Sequence, residues 1–320
     1  MIDLQSRRRL FQGGFFILFV LAPVFDLFRL DLNLRHFIFL DMDWTLGLDA
    51  LQAGEITPLQ AGWNIFLRGF LPIAGVIALG IVISLKYGRL YCGWLCPHFS
   101  IVETLNQLMR RAIGKHSVWD SETLPEQDKG AVAIKRNKAW LLVLMPLALA
   151  FAFIWATALL TYLLPPSEIY GNLWNGTLTR NQMLFIGVGT AAFFFEFTLA
   201  RHLFCRFGCA VGLFQSLAWM ANRKAMVVTF DRAHASACQD CTSACDNACP
   251  MRLKPRTIKR HMFSCTQCAS CITACRDSQA DSPHGSLLEW GMGVPALDKS
   301  DREQARQTAP GRRVINIMRA

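Results

Sequence analysis

Four long apolar stretches alternate with polar segments along the first 200 residues of the chain. Residues 139–164 and 69–85 carry no charge. Both are predicted to cross a membrane, because a bilayer core needs roughly 17–25 apolar residues in a helix. Residues 10–28 and 182–200 each hold one acid, Asp26 near the end of the first and Glu196 in the second. We expect them to span as well, with a buried core helix as the alternative.

The segments between these stretches suggest two further elements. Residues 101–116 are amphipathic, which is typical of a helix at the membrane interface. The apolar face of this helix contains Ile101, Leu105, Leu108 and Ala112. Residues 29–50 mix short apolar runs with acids, and we interpret them either as a segment along the membrane surface or as a connecting loop.

Charge is distributed unevenly around the apolar stretches. The chain has 52% hydrophobic and 18% charged residues and a net charge of +10. Basic residues concentrate before residue 10, in the loop 86–138 and after residue 200, and are sparse in 29–68 and 165–181. By the positive-inside rule, both termini are predicted on the cytoplasmic side of the inner membrane. The basic surplus therefore indicates topology and a lipid environment, and no motif for a nucleic-acid partner is present.

All 12 cysteines fall on the predicted cytoplasmic side, where thiols stay reduced and metal ligation is favoured over disulfides. Residues 265–275 have the C-x2-C-x2-C-x3-C spacing of a bacterial [4Fe–4S] run, and 238–249 departs from it by one extra residue after Cys241. In such paired runs the fourth cysteine ligates the other cluster. One predicted ligand set is Cys238, Cys241, Cys245 and Cys275. The other is Cys265, Cys268, Cys271 and Cys249.

Two structural zinc sites are the alternative for these runs, since zinc also accepts four thiolates. The sequence carries no phosphate-binding loop and no flavin or nicotinamide fingerprint. It therefore predicts electron transfer, and no catalytic residue is assigned. The predicted fold is a mainly α membrane domain over 1–222, a small cytoplasmic α+β domain of two-cluster bacterial-ferredoxin type over 223–297, and a mobile tail over 298–320.

Two further cysteine pairs follow predicted spans directly. They have C-x3-C spacing, which would put both thiols of a pair on one face of a helix at the cytoplasmic boundary. The pairs are Cys92 with Cys96 and Cys205 with Cys209. If the spans pack together, the four thiols could bind a third iron–sulfur centre or Cu(I), or act as redox dithiols. The alternative is small buried residues at helix ends.

Three polar groups near these pairs have two interpretations each. His98 and His202 flank the cysteines and are either ligands or solvated boundary residues. Glu196 is an acid inside a predicted span, which by default suggests a function such as accepting a proton from a quinol. Pairing of Glu196 with Arg201 is the structural alternative.

The cysteine motifs resemble those of the membrane polyferredoxins, and the resemblance covers roughly residues 7–290. The matching segments are YCGWLCPHFSIVETLNQLMRR, RHLFCRFGCAVGLFQSL and CQDCTSACDNACP followed by CTQCASCITAC. This group includes the NapH-type quinol-linked subunits of periplasmic nitrate reduction. It also includes the CcoG-type accessory proteins of cbb3 cytochrome oxidase. The resemblance implies two cytoplasmic [4Fe–4S] clusters.

Details point in both directions within this group. The missing proline after Cys275, together with VTFDRAH and PHGSLLEW, is similar to CcoG, as is FRLDLNLRHFIFL. That similarity implies a cupric reductase serving an oxidase assembly complex. CcoG proteins add a further span and a periplasmic immunoglobulin-like domain, and Ala210 stands where a proline is expected after Cys209. The four-span layout is closer to NapH, which implies electron transfer between quinol and a redox partner protein.

Overall fold

The computed structural model describes residues 3–127, 133–239 and 241–300, and the chain is mostly helical. The α-helices are α1 (Leu4–Leu21), α2 (Leu48–Gln52), α3 (Pro58–Asn64), α4 (Leu71–Tyr87), α5 (Leu90–Trp94), α6 (Pro97–Ile113), α7 (Trp140–Thr161), α8 (Pro166–Asn175), α9 (Arg180–Phe195), α10 (Ala210–Ala221), α11 (Ala244–Asn247) and α12 (Ser270–Ser278). The strands are β1 (Phe28–Asp31), β2 (His36–Phe39), β3 (Met42–Trp44), β4 (Val227–Phe230) and β5 (Leu288–Gly291). π-Helical segments occupy Ile65–Phe70, Glu196–Ala200 and Phe204–Gly208, and 3-10 turns occupy Ala235–Cys238 and Lys259–Met262.

Within the described residues, three helices are long and apolar enough to cross a membrane: Pro58–Tyr87, Trp140–Thr161 and Arg180–Ala200. They contain or closely match the predicted spans 69–85, 139–164 and 182–200. The first is longer than predicted because α3 continues through a π-helical segment into α4. Thr57 caps α3 in a capping box with Gln60, which sets the start of this helix well before residue 69.

The predicted first span, 10–28, is organised differently. Helix α1 begins earlier, at Leu4, and ends earlier, at Leu21, after which the chain turns into β1. Its first turns carry Arg7, Arg8 and Arg9, so it is not among the three apolar helices above. A count of four spans and the cytoplasmic placement of the termini therefore stay predictions.

Residues 28–44 form a small antiparallel sheet in the order β1-β2-β3. The backbone amides of Leu30 and Leu32 donate to the carbonyls of Tyr162 and Leu163, at 2.9 and 3.0 Å. The sheet therefore closes over the C-terminal end of α7. The sequence pattern predicts a surface segment or a connecting loop here, and the structure shows a sheet instead.

Small residues let α7 and α9 pack closely. Ala148, Ala152 and Ala156 on α7 are buried. A Cβ atom on Gly189 of α9 would lie only 3.1 Å from the Cβ of Ala156. The predicted amphipathic helix is α6, and its apolar side packs against α1 and α7 inside the protein. Of its predicted apolar face, Leu108 is half-buried and the other three residues are buried.

The cysteine-rich region combines short helices with a two-stranded sheet. β4 pairs antiparallel with β5, with Val228 opposite Trp290. The amide of Met226 donates to the carbonyl of Lys86 at 2.9 Å, which joins this region to the end of α4. A further helix covers residues 294–300. The remainder of the predicted tail, 301–320, lies outside the described residues.

Candidate metal centres

Four cysteines of one predicted ligand set line a single cavity. Cys249, from the first run, lies there with Cys265, Cys268 and Cys271 from the second. All four are buried. The other side chains around this cavity are mostly apolar and include Val228, Pro250, Met251, Leu253, Pro255, Met262 and Ala269. The chain thus brings the fourth cysteine of one run to the first three of the other.

The second predicted set is also drawn together. Burial raises the pKa of Cys238, and the charges of Cys275 and Cys241 raise it further. Burial raises the pKa of Cys245 to about 12, again with a contribution from Cys275. The charge of Cys245 also raises the pKa of Cys271, which belongs to the first set. The two groups of thiols are therefore neighbours.

Both groups suit iron–sulfur clusters by the chemistry of their donors. Each offers four soft thiols in a largely buried setting, which is the ligand set of a [4Fe–4S] cluster. A cluster would take each of these four thiols at a separate iron atom, whereas a single ion would need them to converge. In the parts of the chain that the structure describes, no three His, Cys, Asp or Glu side chains converge tightly enough to hold a single metal ion.

Two basic side chains lie beside these thiols. Arg256 donates to Asp246 at 2.9 Å, and its charge lowers the pKa values of Cys238 and Cys245 against the larger effect of burial. Lys299 donates to the carbonyl of Pro255 at 3.1 Å, and its charge likewise lowers the pKa of Cys265 against the larger effect of burial. Each can offset negative charge on metal-bound sulfur. Lys299 belongs to the segment predicted as a mobile tail, so its place beside these thiols is not predictable from the sequence pattern.

The two boundary pairs also meet. Neither pair lies on one continuous α-helix, contrary to the expected i,i+4 arrangement. Cys92 lies in α5 and Cys96 caps α6, whereas Cys205 lies in a π-helical segment and Cys209 caps α10. The Sγ atom of Cys92 is 3.2 Å from Oε1 of Gln215 on α10. The chain turns between the members of each pair, and Cys92 thereby reaches the helix that Cys209 caps.

One buried cation accompanies the boundary thiols. Arg89 is 1% exposed, and its Nη2 atom donates to the carbonyl of Cys205 at 2.7 Å. Its charge lowers the pKa of Cys92, although burial raises that pKa overall. Arg89 is not among the residues predicted from the sequence. The signal was an arginine three positions before a cysteine at the end of an apolar helix.

The boundary pair of α5 touches the ferredoxin-like region directly. A Cβ atom on Gly93 would overlap the backbone oxygen of Thr266 and lie 3.3 Å from the amide nitrogen of Cys268. The indole of Trp94 donates to the carbonyl of Gln267 at 3.1 Å. The loop between Cys265 and Cys268 therefore packs directly against α5, the helix that contains Cys92.

Helix α1 contacts both α5 and the ferredoxin-like region. Arg8 is 2% exposed and forms a two-point ion pair with Glu103 of α6, with Nη1–Oε2 at 2.8 Å and Nη2–Oε1 at 2.5 Å. Arg8 and Gln12 both donate to the carbonyl of Gly93 at 3.2 Å. Gln5 donates to the carbonyl of Cys268 at 3.1 Å. Part of the basic leader, interpreted from sequence as a topology signal, is thus an internal contact.

Glu196 contacts His98 rather than Arg201, the partner named in the structural alternative. Nε2 of His98 lies 3.2 Å from Oε1 of Glu196, and Oε2 of this carboxyl is buried without a hydrogen-bond partner among the described residues. Arg201 instead donates to the carbonyls of Phe197 and His116.

Known protein families and curated proteins are similar to this chain in the segments that carry the cysteines. The family described as "4Fe-4S binding domain" matches residues 69–116 and 181–225, the two segments that contain the boundary pairs. The chain is 22% identical over 284 residues to the ferredoxin-type protein NapH of Escherichia coli strain K12, covering 84% of this chain and 85% of that protein. The predicted resemblance to the membrane polyferredoxins is therefore confirmed, and it supports a NapH-type ferredoxin group.

A second relative extends this picture. The chain is 23% identical over 259 residues to the putative electron transport protein YccM from the same organism, covering 73% of this chain and 66% of that protein. An uncharacterized protein of Methanocaldococcus jannaschii is 24% identical over 61% of this chain and 72% of its own length. No solved structure matches the chain. These matches support iron–sulfur electron transfer and, with the apolar helices, a membrane protein.

Proposed function

We propose that this protein carries electrons from a membrane quinol to a redox partner protein on the cytoplasmic side, through two [4Fe–4S] clusters. The observation that carries the proposal is the cavity in which Cys249 joins Cys265, Cys268 and Cys271. This is the crossed ligand set of a two-cluster ferredoxin. The NapH and YccM relatives, a ferredoxin-type protein and a putative electron transport protein, support the same function.

Bound clusters supply one-electron storage at potentials that the protein tunes through charge, burial and hydrogen bonds to sulfur. In this chain, Arg256 and Lys299 provide positive charge beside the thiols. The apolar lining around Cys249 and Cys265 keeps water away from their sulfurs. The positive charge favours the reduced state, because a cluster becomes more negative when it gains an electron, whereas exclusion of water opposes that state.

The donor side of the proposal uses the pair His98 and Glu196. Oxidation of a quinol to a quinone releases two electrons and two protons, so a proton acceptor must lie near the membrane. Glu196 lies in an apolar helix, and Oε2 of its carboxyl has no described partner. His98 at 3.2 Å can pass that proton on. We assign this pair as the proton acceptor.

The test uses the full-length protein in detergent under anaerobic conditions. A short-chain quinol should reduce the clusters, giving the low-temperature EPR signals of reduced [4Fe–4S] centres. Glu196→Gln should slow this reduction by about tenfold or more, because the proton acceptor is lost. Reduction by dithionite should be unchanged. Glu168→Gln, which alters an exposed acid that accepts from Gln182 on α9, is the matched control.

Three results would contradict parts of this proposal. Failure of any quinol to reduce the clusters would remove the quinol as donor. Reoxidation of the reduced protein by Cu(II), but not by quinone, would favour cupric reduction for oxidase assembly instead. A colourless protein that contains zinc rather than iron would replace electron transfer by a structural role.

A further inference from the structure

Three neighbouring cavities form a groove along α1. The first, of about 330 Å³, lies between α1, α6 and the cysteine-rich region. The second shares Arg9, Glu103 and Gln107 with the first, and the third, of about 400 Å³, shares Phe16 with the second. From Arg9 to Leu21 the axis of α1 rises about 18 Å, which is comparable to the hydrocarbon thickness of one membrane leaflet, about 15 Å.

Positive charge predominates at the end of the groove next to the cysteine-rich region. The lining there contains four arginines: Arg8, Arg9, Arg110 and Arg111. It also contains two acids, of which Glu103 pairs with Arg8 and Asp277 contacts Arg276 outside the lining. Arg9 and Arg111 form no ion pair with any of the residues that the structure describes. This end of the groove therefore suits a ligand with negative charge.

The opposite end of the groove is apolar. The guanidinium carbon of Arg111 lies 5.5 Å from the ring centroid of Trp140, the first residue of α7. Tryptophan is enriched where a membrane meets water, so the basic end is expected at the depth of lipid headgroups. Beyond Phe16 the lining is almost entirely apolar and includes Ile17, Val20, Phe153, Ile154 and Leu173. The groove thus has the polarity of an amphiphile with a charged head and a long tail.

A buried amide in the basic cavity is unpaired. Asn106 is 1% exposed and lines this cavity, and neither its Nδ2 nor its Oδ1 has a hydrogen-bond partner among the described residues. Burial of an amide without hydrogen bonds is unfavourable, so a ligand that accepts from it would remove a cost. A phosphate oxygen can accept from Nδ2 while arginines supply the opposite charge.

We propose that the groove holds one anionic phospholipid, with its phosphate beside Arg9, Arg111 and Asn106 and an acyl chain against Phe16 and α7. Basic pockets between membrane helices bind headgroups of this kind. A neutral quinol would use the apolar wall and leave the arginines without a counter-charge, and a free phosphate would leave the apolar wall unused. The inference goes beyond the proposed function and does not depend on it.

The experiment measures the melting temperature of the full-length, iron-loaded protein after lipid is removed in a neutral detergent. Phosphatidylglycerol should raise this temperature, because a ligand of the folded state stabilises it, whereas phosphatidylcholine with the same chains and inorganic phosphate should not. Arg9→Gln/Arg111→Gln should require about tenfold or more phosphatidylglycerol for the same rise. Arg7→Gln/Lys138→Gln removes two exposed charges from outside the groove and should respond like the wild type.

The acyl chain and the buried amide have tests of their own. A Cβ atom on Gly13 or on Gly14 would meet nothing within 4 Å, and of the two only Gly13 lines the groove. Gly13→Leu should therefore block the groove and abolish the response to phosphatidylglycerol, whereas Gly14→Leu should leave it unchanged. Asn106→Leu should melt no lower than the wild type without lipid, because it removes an unpaired amide, and yet should respond less to phosphatidylglycerol.

Several outcomes would overturn the phospholipid. One is a rise of equal size with phosphatidylcholine or with inorganic phosphate. Another is an equal response of Gly13→Leu and Gly14→Leu, or of Arg9→Gln/Arg111→Gln and the wild type. A short-chain quinol that raises the melting temperature and loses this effect in Gly13→Leu would assign the groove to the quinol instead. Failure of quinol to reduce the clusters, with the response to phosphatidylglycerol intact, would contradict only the proposed function.

Discussion

Gly93 packs against the backbone oxygen of Thr266 so closely that no side chain fits between them. The first residue follows Cys92 in the boundary site, and the second lies between Cys265 and Cys268 in the ferredoxin-like region. The contact therefore sets the separation between two groups of thiols that belong to different parts of the fold.

Replacement of Gly93 by alanine should disturb this junction. The added methyl group must displace a backbone segment rather than a flexible side chain, and overpacking of this kind costs about 1–3 kcal/mol. We expect a lower melting temperature of the detergent-solubilised protein and a loss of iron. Gly80→Ala on α4 is the control, because nothing lies within 4 Å of the new Cβ atom. Equal melting temperatures and iron contents of the two variants would show that this contact does not contribute to stability.

The ion pair between Arg8 and Glu103 leads to a second prediction. Arg8→Met leaves a buried carboxylate without its partner, which should cost about 3–5 kcal/mol of stability. Arg7→Met and Arg9→Met alter exposed neighbours in the same basic leader and should change stability little. Thermal unfolding in detergent compares the three. Adding Glu103→Gln to Arg8→Met should recover part of the loss, and no recovery would argue against an electrostatic cause.

A third prediction concerns Arg256 and the thiols of Cys238 and Cys245. Removal of this positive charge in Arg256→Met should lower the reduction potential of the adjacent cluster, since reduction adds negative charge there. The shift should be on the order of tens of millivolts, as expected for one charge at moderate dielectric constant. Lys254→Met removes an exposed charge from the same segment and is the control. A redox titration followed by EPR would show whether the two variants differ.

The metal-free protein should lose stability in alkali. Burial raises the pKa of Cys265 to about 11, from about 9 for a free thiol. Between these values the folded chain keeps a proton that the unfolded chain has released, so stability falls as pH rises through this window. The slope is up to about 1.4 kcal/mol per pH unit for each such thiol. Below pH 9 the contribution is fully present.

Denaturant unfolding at pH 7.5 and pH 10 measures this effect. The cluster-loaded protein serves as the comparison, because its sulfurs are already deprotonated and bound to iron. It should show a clearly smaller change between the two pH values. An equal change in both forms would assign the alkaline sensitivity to other groups.

Much of the fold followed from pattern. Uninterrupted apolar runs predicted the helices over 140–161 and 180–200, and the spacing of the two cysteine runs predicted that Cys249 would lie beside Cys265 and its neighbours. Such features are local, or repeat a known spacing. The remaining residues of the sites could not be predicted from local patterns. Tertiary packing brings Arg89 to the carbonyl of Cys205 and Glu103 to Arg8, and no periodicity along the chain reports which segment will cover them.

Two misjudged segments have the same cause. Arg7, Arg8 and Arg9 carry the same charge, yet of the three only Arg8 is buried, where it pairs with Glu103 of α6. Residues 28–44 alternate too briefly to predict strands, and their sheet is completed by hydrogen bonds to the end of α7. In both cases the deciding partner is more than 90 residues away.

The hydrogen bonds from Gln5 to the carbonyl of Cys268 and to Thr273 tie the beginning of the chain to its last third. During translation, α1 leaves the ribosome long before its partner exists. Its first turn therefore lacks this hydrogen-bond partner while some 260 further residues are made. Completion of the cysteine-rich region closes this contact, so the first turn of α1 is among the first segments to be synthesised, and its contact with Cys268 is among the last to form.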